Sequence, residues 1–481
     1  MEDLYGRKIV TIPISKEDFY KNPAKAIAKH LDTIESTHKS NVREIEFLHD
    51  YYKGKHSILT EKQRYNGSDI NNVNIENHAH KIVDFKVGFM YGKPLDYSVE
   101  NASESNDDVT MLNKYLKVVN KASLDIEKAQ DLYEFGISHQ LLLPKRTSEV
   151  EDIMEDAPFV LSRIDSTECC VVYSSDIPRQ KLFGVVFSKA YDENGTEKQL
   201  YNIFMPKRKM LFDSDKKKVG DKPQPYNYIP LIEYTINNVR MGLIELVYSL
   251  QELIDKINSL QIDDIEENVN SYMIVKNQQI DDEWLETFKE FKKQRVMLLT
   301  TNNPETPADL ELLDAELKQE AINLFYERVV KALYDIASVP QSSGNVTSGG
   351  DTGQARLLGN GWESSQNQAQ VDQTYLLQYE LELIKYILRI CKNYPGCPIE
   401  TISVGDINVK FNINMSDNLL VKSQSLQNLH AINFPLKQAL AICGITNDVD
   451  GIGNLWEQNN QKAKEQTNNV QNNMNKNSGV E

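Results

Sequence analysis

The sequence predicts a mixed α+β chain, mainly helical, on three observations. Apolar residues recur at spacings of three and four over long stretches, one region alternates with period two instead, and Gly, Pro and Asn punctuate the boundaries. At 481 residues the chain exceeds one ordinary core, so several domains or one elongated, multi-part subunit are expected.

Residues 15–55 read as two helices joined near Thr37 and Asn41, with Gly54 as the closing cap. A helix over 71–94 follows, its stripe of Ile75, Ile82, Val83, Phe85, Val87 and Phe89 running into the stop Tyr91-Gly92-Lys93-Pro94. Residues 110–140 give another helical stretch, stopped or bent at Gly136. Between 159 and 212 the period changes: 170–173, 183–187 and 199–204 read as strands rich in Val, Phe and Tyr. Asp192-Glu193-Asn194-Gly195-Thr196 reads as a hairpin turn, because Asn-Gly supplies the two positive φ angles of a type I′ turn.

Residues 242–272 form a long helix with Leu243, Leu246, Leu250, Leu253, Ile257 and Leu260 as a packing seam and an acidic far half of Asp263, Asp264, Glu266 and Glu267. A small αβ unit interrupts: strand 272–275, helix 281–293, strand 296–300 and a turn at Asn302-Asn303-Pro304. A second long helix is expected over 308–338, carrying Leu310, Leu313, Leu317, Ile322, Phe325, Val329, Leu333 and Ile336 on its apolar side. The Gly/Ser-rich stretch 341–353 reads as a loop. A third helix reaches about Lys392 on the seam Leu376, Tyr379, Leu383, Tyr386, Ile387 and Ile390. Residues 407–415 alternate as one strand, 418–443 return to helix, and from Gln458 the composition is that of a disordered tail.

With 53 Lys and Arg against 70 Asp and Glu, the net charge is −17, which repels a phosphate backbone. That excludes a conventional duplex-DNA binder; any DNA is surrounded or met by local patches. Cys169, Cys170, Cys391, Cys397 and Cys443 lack a CxxC spacing and read as small buried thiols of a cytoplasmic product. The opening residues place charges where a signal peptide has its apolar core, and no apolar run is long enough to span a bilayer, so no membrane role is expected.

The Gly-rich loop is the first candidate for chemistry, because such loops cradle phosphates. It fails as a Walker A motif: no Gly-Lys-Ser/Thr follows, and a helix rather than a strand precedes it. What remains is a flexible connector or a loop projecting into a channel. Thr446-Asn447-Asp448-Val449-Asp450-Gly451 with Glu457 imitates half of a calcium loop, but Thr446 stands where a principal carboxylate belongs. Asp448, Asp450 and Glu457 are therefore metal candidates beside the simpler reading of an Asp-rich turn. His78 and His80 sit two apart on a helix and point in different directions, so packed or surface histidines are the better account. With no GxSxG, HExxH, zinc or Rossmann pattern, neither catalytic residues nor a cofactor are expected. The acids ending the first long helix are a solvated face or, in a ring, the lining of a bore that keeps DNA from sticking.

Four segments carry a resemblance: Tyr51-Tyr52-x-Gly54-x-His56-x-Ile58; Ile82-Val83-Asp84 through Gly88-Phe89-Met90-Tyr91-Gly92-Lys93-Pro94; Pro230-Leu231-Ile232-Glu233-Tyr234 with Asn237-Asn238; and Ser338-Val339-Pro340 with Ser348-Gly349 ahead of Ala355. In that order they resemble the portal proteins of tailed bacteriophages, most nearly those of siphophages infecting Gram-positive hosts. Gly350-Asp351-Thr352, intervening before the next helix, departs from the family pattern.

The resemblance implies a portal-type elongated subunit in a ring of about twelve copies, each making head-to-tail contacts. Its wing would span 1–241 and 354–417, its stem helices 242–272 and 308–338, and its small αβ clip 273–307. The channel loop would be 339–353, the helical crown 418–457, and 458–481 the tail. The implied role is a DNA channel at one capsid vertex for genome packaging, head-tail joining and ejection. Implied partners are the large terminase subunit, a head-tail adaptor, the major capsid and scaffolding proteins, and double-stranded DNA that passes through without tight binding. Gln341, Ser342, Ser343, Asn345, Thr347, Ser348 and Asp351 would face the DNA; Asp263, Asp264, Glu266 and Glu267 would line the stem. Trp284, Phe288 and Phe291 would meet the motor, the adaptor or a neighbouring subunit, or else pack within the clip. Two rival readings stand beside this one: a cytoplasmic helical scaffold or adaptor without a DNA role, and a nucleic-acid enzyme with divergent motifs.

Overall fold

The stretch read as two helices over 15–55 is a short helix, α1 (Lys16–Lys21), and one unbroken helix, α2 (Pro23–Tyr52). They belong to a computed structural model that describes residues 6–62, 70–99, 106–191, 197–269, 272–276, 309–313, 319–341, 361–413, 419–432 and 434–445, with isolated residues from 452 to 459. Asn41, expected at a joint, is buried within α2. Its amide oxygen accepts from the Lys8 NH at 2.8 Å and its NH2 donates to the Lys8 carbonyl at 2.8 Å. A side chain that satisfies a distant backbone does not compete for its own, so the helix continues. Gly54, at φ 93°, closes α2 as expected.

The alternating region builds a six-stranded sheet from β1 (Val10–Thr11), β5 (Cys169–Tyr173), β6 (Lys181–Tyr191), β7 (Glu197–Met205), β8 (Arg208–Phe212) and β9 (Lys218–Pro223), in the order β1-β5-β6-β7-β8-β9. The three expected strands fall within β5, β6 and β7. Tyr191 pairs with Glu197 across the expected hairpin, whose turn 192–196 lies outside the described residues. Helices α1 and α2 cover one face, packing Phe19, Ile27, Leu31 and Ile34 against Phe183, Val185, Ile203 and Phe212. Each such side chain contributes about 1.5–3 kcal/mol by leaving water.

A second sheet joins β10 (Leu231–Thr235), β3 (Ile137–Pro144) and β4 (Phe159–Ile164). The helical stretch expected over 110–140 is two helices, α5 (Asn106–Val118) and α6 (Lys121–Phe135), and it ends early. At Gly136, φ 83°, the chain passes so close to Arg240 that a Cβ would lie 2.5 Å from its carbonyl carbon, and 137–140 enter β3 instead. The helix expected over 71–94 is α4 (His78–Tyr91), started by Asn77, whose side chain accepts from the His80 NH at 2.9 Å. Residues 70–77 are extended. Helix α9 (Trp362–Asn393) lies against β10 and β3, and β13 (Ile407–Lys410), shorter than the strand expected over 407–415, pairs with β2 (Asp96–Val99).

The first long helix is α7 (Leu243–Val269), beside α8 (Gln319–Ile336). The helix expected from 308 is corrected: β12 (Asp309–Leu313) is a strand, paired antiparallel with β11 (Tyr272–Lys276). Tyr-Met-Ile-Val-Lys is a strong strand former whose backbone groups need a partner, and Asp-Leu-Glu-Leu-Leu fits period two as well as period three. The expected elements at 281–293 and 296–300, and the tail, lie outside the described residues.

Two compact units divide the chain, the larger within Met1–Gly349 and Arg356–Asn414, the smaller chiefly within Met415–Glu481. In the smaller, the single helix expected over 418–443 is two, α10 (Leu419–Ala431) and α11 (Leu436–Cys443). Pro435, which has no NH to donate, starts the second. No described helix is long and apolar enough to cross a membrane.

Candidate functional site

The candidate site is the α7/α8 pair and what anchors it. On its inner face α7 buries Ile244, Val247, Ile254 and Ile257 together with three polar residues, Gln251, Asp255 and Ser259, all fully buried. Their partner is the extended segment 70–77. Having no sheet neighbour, its backbone takes hydrogen bonds from α7 side chains. The Ser259 hydroxyl accepts from the Asn74 NH at 3.0 Å, and the Asp255 carboxylate from the Glu76 NH at 3.3 Å while also holding His56. Gln251 donates to the Glu76 carbonyl at 2.8 Å, and its oxygen accepts from the His78 and Ala79 NH groups at 3.0 and 3.2 Å. One glutamine of α7 thus satisfies the orphan donors at the start of α4.

The near end of α7 is fixed by Glu245, whose carboxylate accepts from the NH groups of Gly6 at 2.9 Å and Gly242 at 2.8 Å and pairs with the buried Arg7 at 2.5 Å. Arg7 also pairs with Glu44 of α2 at 3.0 Å. At the far end, Asp263 receives Lys62 at 2.6 Å and the Asn72 NH at 2.8 Å. Burial works against its charged form, but these contacts hold its carboxyl below the ordinary value. Glu266 accepts from the Asn72 amide at 2.6 Å, Asp264 is exposed, and the Glu267 side chain lies outside the described set.

Helix α8 closes on α7 through Val329, Leu333, Tyr334 and Ala337. Other apolar side chains of the pair stay exposed: Leu246 and Leu260 on the side of α7 turned away from this core, Ile262 and Ile265 further along the same side as Ile244 and Val247, and Leu324, Phe325 and Ile336 on α8, Leu324 to 64%. The expected seam is therefore half right. Its Leu243, Leu250, Leu253 and Ile257 pack within the chain, whereas Leu246 and Leu260 face out.

Beyond α8, Ser338 adopts φ 51° and its carbonyl accepts from the Ser365 hydroxyl of α9 at 2.6 Å; the Ser364 hydroxyl donates to the Ser338 hydroxyl at 3.1 Å. Gly361, at φ 88°, lies against Pro340, and Trp362 rests on Phe85 and Phe89 of α4. The two ends of segment 342–360 therefore leave the fold at one clasp. Of the expected loop residues, Gln341 is described, donating to the Val330 carbonyl at 3.4 Å. Ser342, Ser343, Asn345, Thr347, Ser348 and Asp351 lie outside the described residues, as do Trp284, Phe288, Phe291, Asp448, Asp450 and Glu457.

Under α9 sits a knot of buried charge. Lys121 pairs with Asp125 at 2.5 Å and with Glu380 at 3.0 Å; Lys128 pairs with Asp125 at 2.8 Å and closely with Glu380. Burial alone raises a carboxyl, yet the two ammonium groups hold Glu380 far below its ordinary value. Nearby, Lys86 is buried with no hydrogen-bond partner among the described residues, and desolvation lowers it to about 8 although Asp372 favours its charge.

A family model described as phage portal protein, SPP1 Gp6-like, matches residues 31–473. The chain belongs to that phage portal protein family. No curated protein matches it. As a portal protein it is a structural component of the virion capsid and works as a homo-oligomeric ring with capsid and terminase partners. In the portal subunit His78 is buried and bonds the Tyr334 hydroxyl at 3.0 Å, while His80 is exposed 3.1 Å from Asp84. All five cysteines are free and buried. No cluster of three or more His, Cys, Asp or Glu suited to a metal occurs among the described residues. Sequence reasoning missed the polar inner face of α7, although Gln251, Asp255 and Ser259 recur every four residues inside an apolar helix, which was a usable signal.

Proposed function

We propose that about twelve copies of this portal subunit close a ring around double-stranded DNA at one capsid vertex, serving packaging, head-tail joining and ejection. The match over residues 31–473 carries this reading. The exposed apolar side chains of α7 and α8 support it, since neighbouring copies in a ring would remove them from water. In this reading the wing spans 1–241 and 354–417, the stem α7 and α8, the clip the insert between them, and the crown the helices from 418 to 457. The acids Asp264, Glu266 and Glu267 give the bore a negative lining, while Asp263 holds Lys62 and Asn72. The clasped segment from Gln341 onward meets DNA by hydrogen bonding without strong charge, which lets the duplex slide. Trp284, Phe288 and Phe291 serve contacts of the clip with the motor or the adaptor.

Negative-stain electron microscopy of the purified chain tests the ring: a turbine-shaped particle with a central hole is expected, and a persistent monomer or dimer overturns it. Deleting 342–351 should leave rings intact while impairing packaging or retention of DNA. Normal packaging with that deletion removes the channel-loop role.

A further inference from the structure

On the larger unit, the end of β3, the segment 224–228 before β10 and the last turn of α9 enclose a cavity of about 460 Å³. Its charge is opposite to that of the chain. Lys145, Arg146 and Arg389 line it and no carboxylate does, in a protein with net charge −17. Lys145 is engaged by Asp156 at 3.1 Å, but neither guanidinium pairs with a carboxylate among the described residues. Tyr226, which also lines the cavity, is 4% exposed, and its hydroxyl is closed off from solvent with no hydrogen-bond partner among the described residues.

Two of the three tyrosines lining it offer no free face. Tyr228 is buried and its face is covered by Tyr386, with ring centres 4.4 Å apart and planes 11° apart, and Tyr226 leans on it from 5.3 Å. Tyr394 is half-buried, and its hydroxyl donates to the Arg146 carbonyl at 3.2 Å. What the cavity offers is two exposed guanidinium groups beside the uncharged side chains of Gln224, Asn227 and Asn393. Guanidinium groups bind carboxylates bidentately, and a cavity of this size admits roughly two or three residues of an extended segment rather than a duplex.

We propose that this cavity is a docking site for an acidic peptide segment of a partner protein, one carboxylate held by Arg146 and Arg389. Assembly into a ring is not required for this binding, so the site is testable whatever the oligomeric state.

The probe is the blocked peptide acetyl-Asp-Glu-Leu-Asp-Glu-amide, titrated calorimetrically into the full-length chain. Binding that weakens as salt rises is expected, reduced at least about tenfold by the double substitution Arg146→Gln with Arg389→Gln. Four results would each overturn the assignment: no binding at millimolar peptide, equal binding of the Asn-Gln-Leu-Asn-Gln counterpart, undiminished binding by the double variant, or preferential binding of octathymidylate, which would make the cavity a nucleic-acid contact.

Discussion

Two regions of the larger unit treat their surfaces in opposite ways. At the junction of α6 and α9, four charges, Lys121, Asp125, Lys128 and Glu380, are removed from water and answer one another within a single chain. Along α7 and α8, seven apolar side chains stay exposed among the described residues. Ionic groups are the more expensive to bury and apolar ones the cheaper, so intrinsic cost does not explain the pattern. Completeness does: the first region is finished when one subunit folds, and the second, in the proposed ring, only when subunits meet.

The sharpest way to break that comparison is Glu380→Ala, which leaves two ammonium groups facing Asp125 alone. It should cost about 3–5 kcal/mol of folding stability, read from the urea midpoint. A loss under about 1 kcal/mol would show that the knot is not closed as described.

Lys86 is the exception inside the finished region, and it sharpens the contrast. Its folded value of about 8 lies below the ordinary lysine value, so between roughly pH 8 and 10.5 the unfolded chain binds the extra proton. Stability should therefore rise with pH across that window, the penalty being fully present below it. Lys86→Met, which leaves Asp372 with Tyr133 and Gln368, should remove that slope and stabilise the protein at pH 7 by about 1–4 kcal/mol. A flat profile in the parent chain would count against a desolvated lysine.

Gln251→Leu keeps volume but strands the Ala79 NH, while the His78 NH and the Glu76 carbonyl keep only each other at 2.8 Å. A loss of about 1–3 kcal/mol is expected, with early amide exchange at the start of α4 by hydrogen-exchange mass spectrometry. The smallest expected change in stability belongs to the unfinished surface. Leu260→Glu with Phe325→Glu should alter unfolding by no more than about 0.5 kcal/mol, yet abolish the ring in sedimentation velocity. Rings that survive the pair would place the subunit interface elsewhere.

The long helices were legible in the sequence because spacings of three and four persist over many turns, and the β-region because its period changes. The errors are equally physical. Asn41 looked like a helix break because its partner, Lys8, lies 33 residues away, a distance no local pattern spans. Leu310 and Leu313 fit helix and strand alike, and β11 decided between them. The seam of α7 was misphased because that helix is apolar on two sides, and periodicity does not say which side its own chain covers. Of the candidate site, the acids were legible, but not that Asp263 would be taken by a lysine on a segment bridging from α3 (Ile58–Glu61) to α4.

The serine clasp has a further consequence. Because Ser338 and Ser365 join the two ends of the 342–360 segment at one point, the fold holds those ends together without help from what lies between them. Closing a tether between fixed posts depends only logarithmically on its length, with a doubling worth about 0.6 kcal/mol. By that scaling, the frame built by Ser338 and Ser365 sets little limit on the length of what it presents.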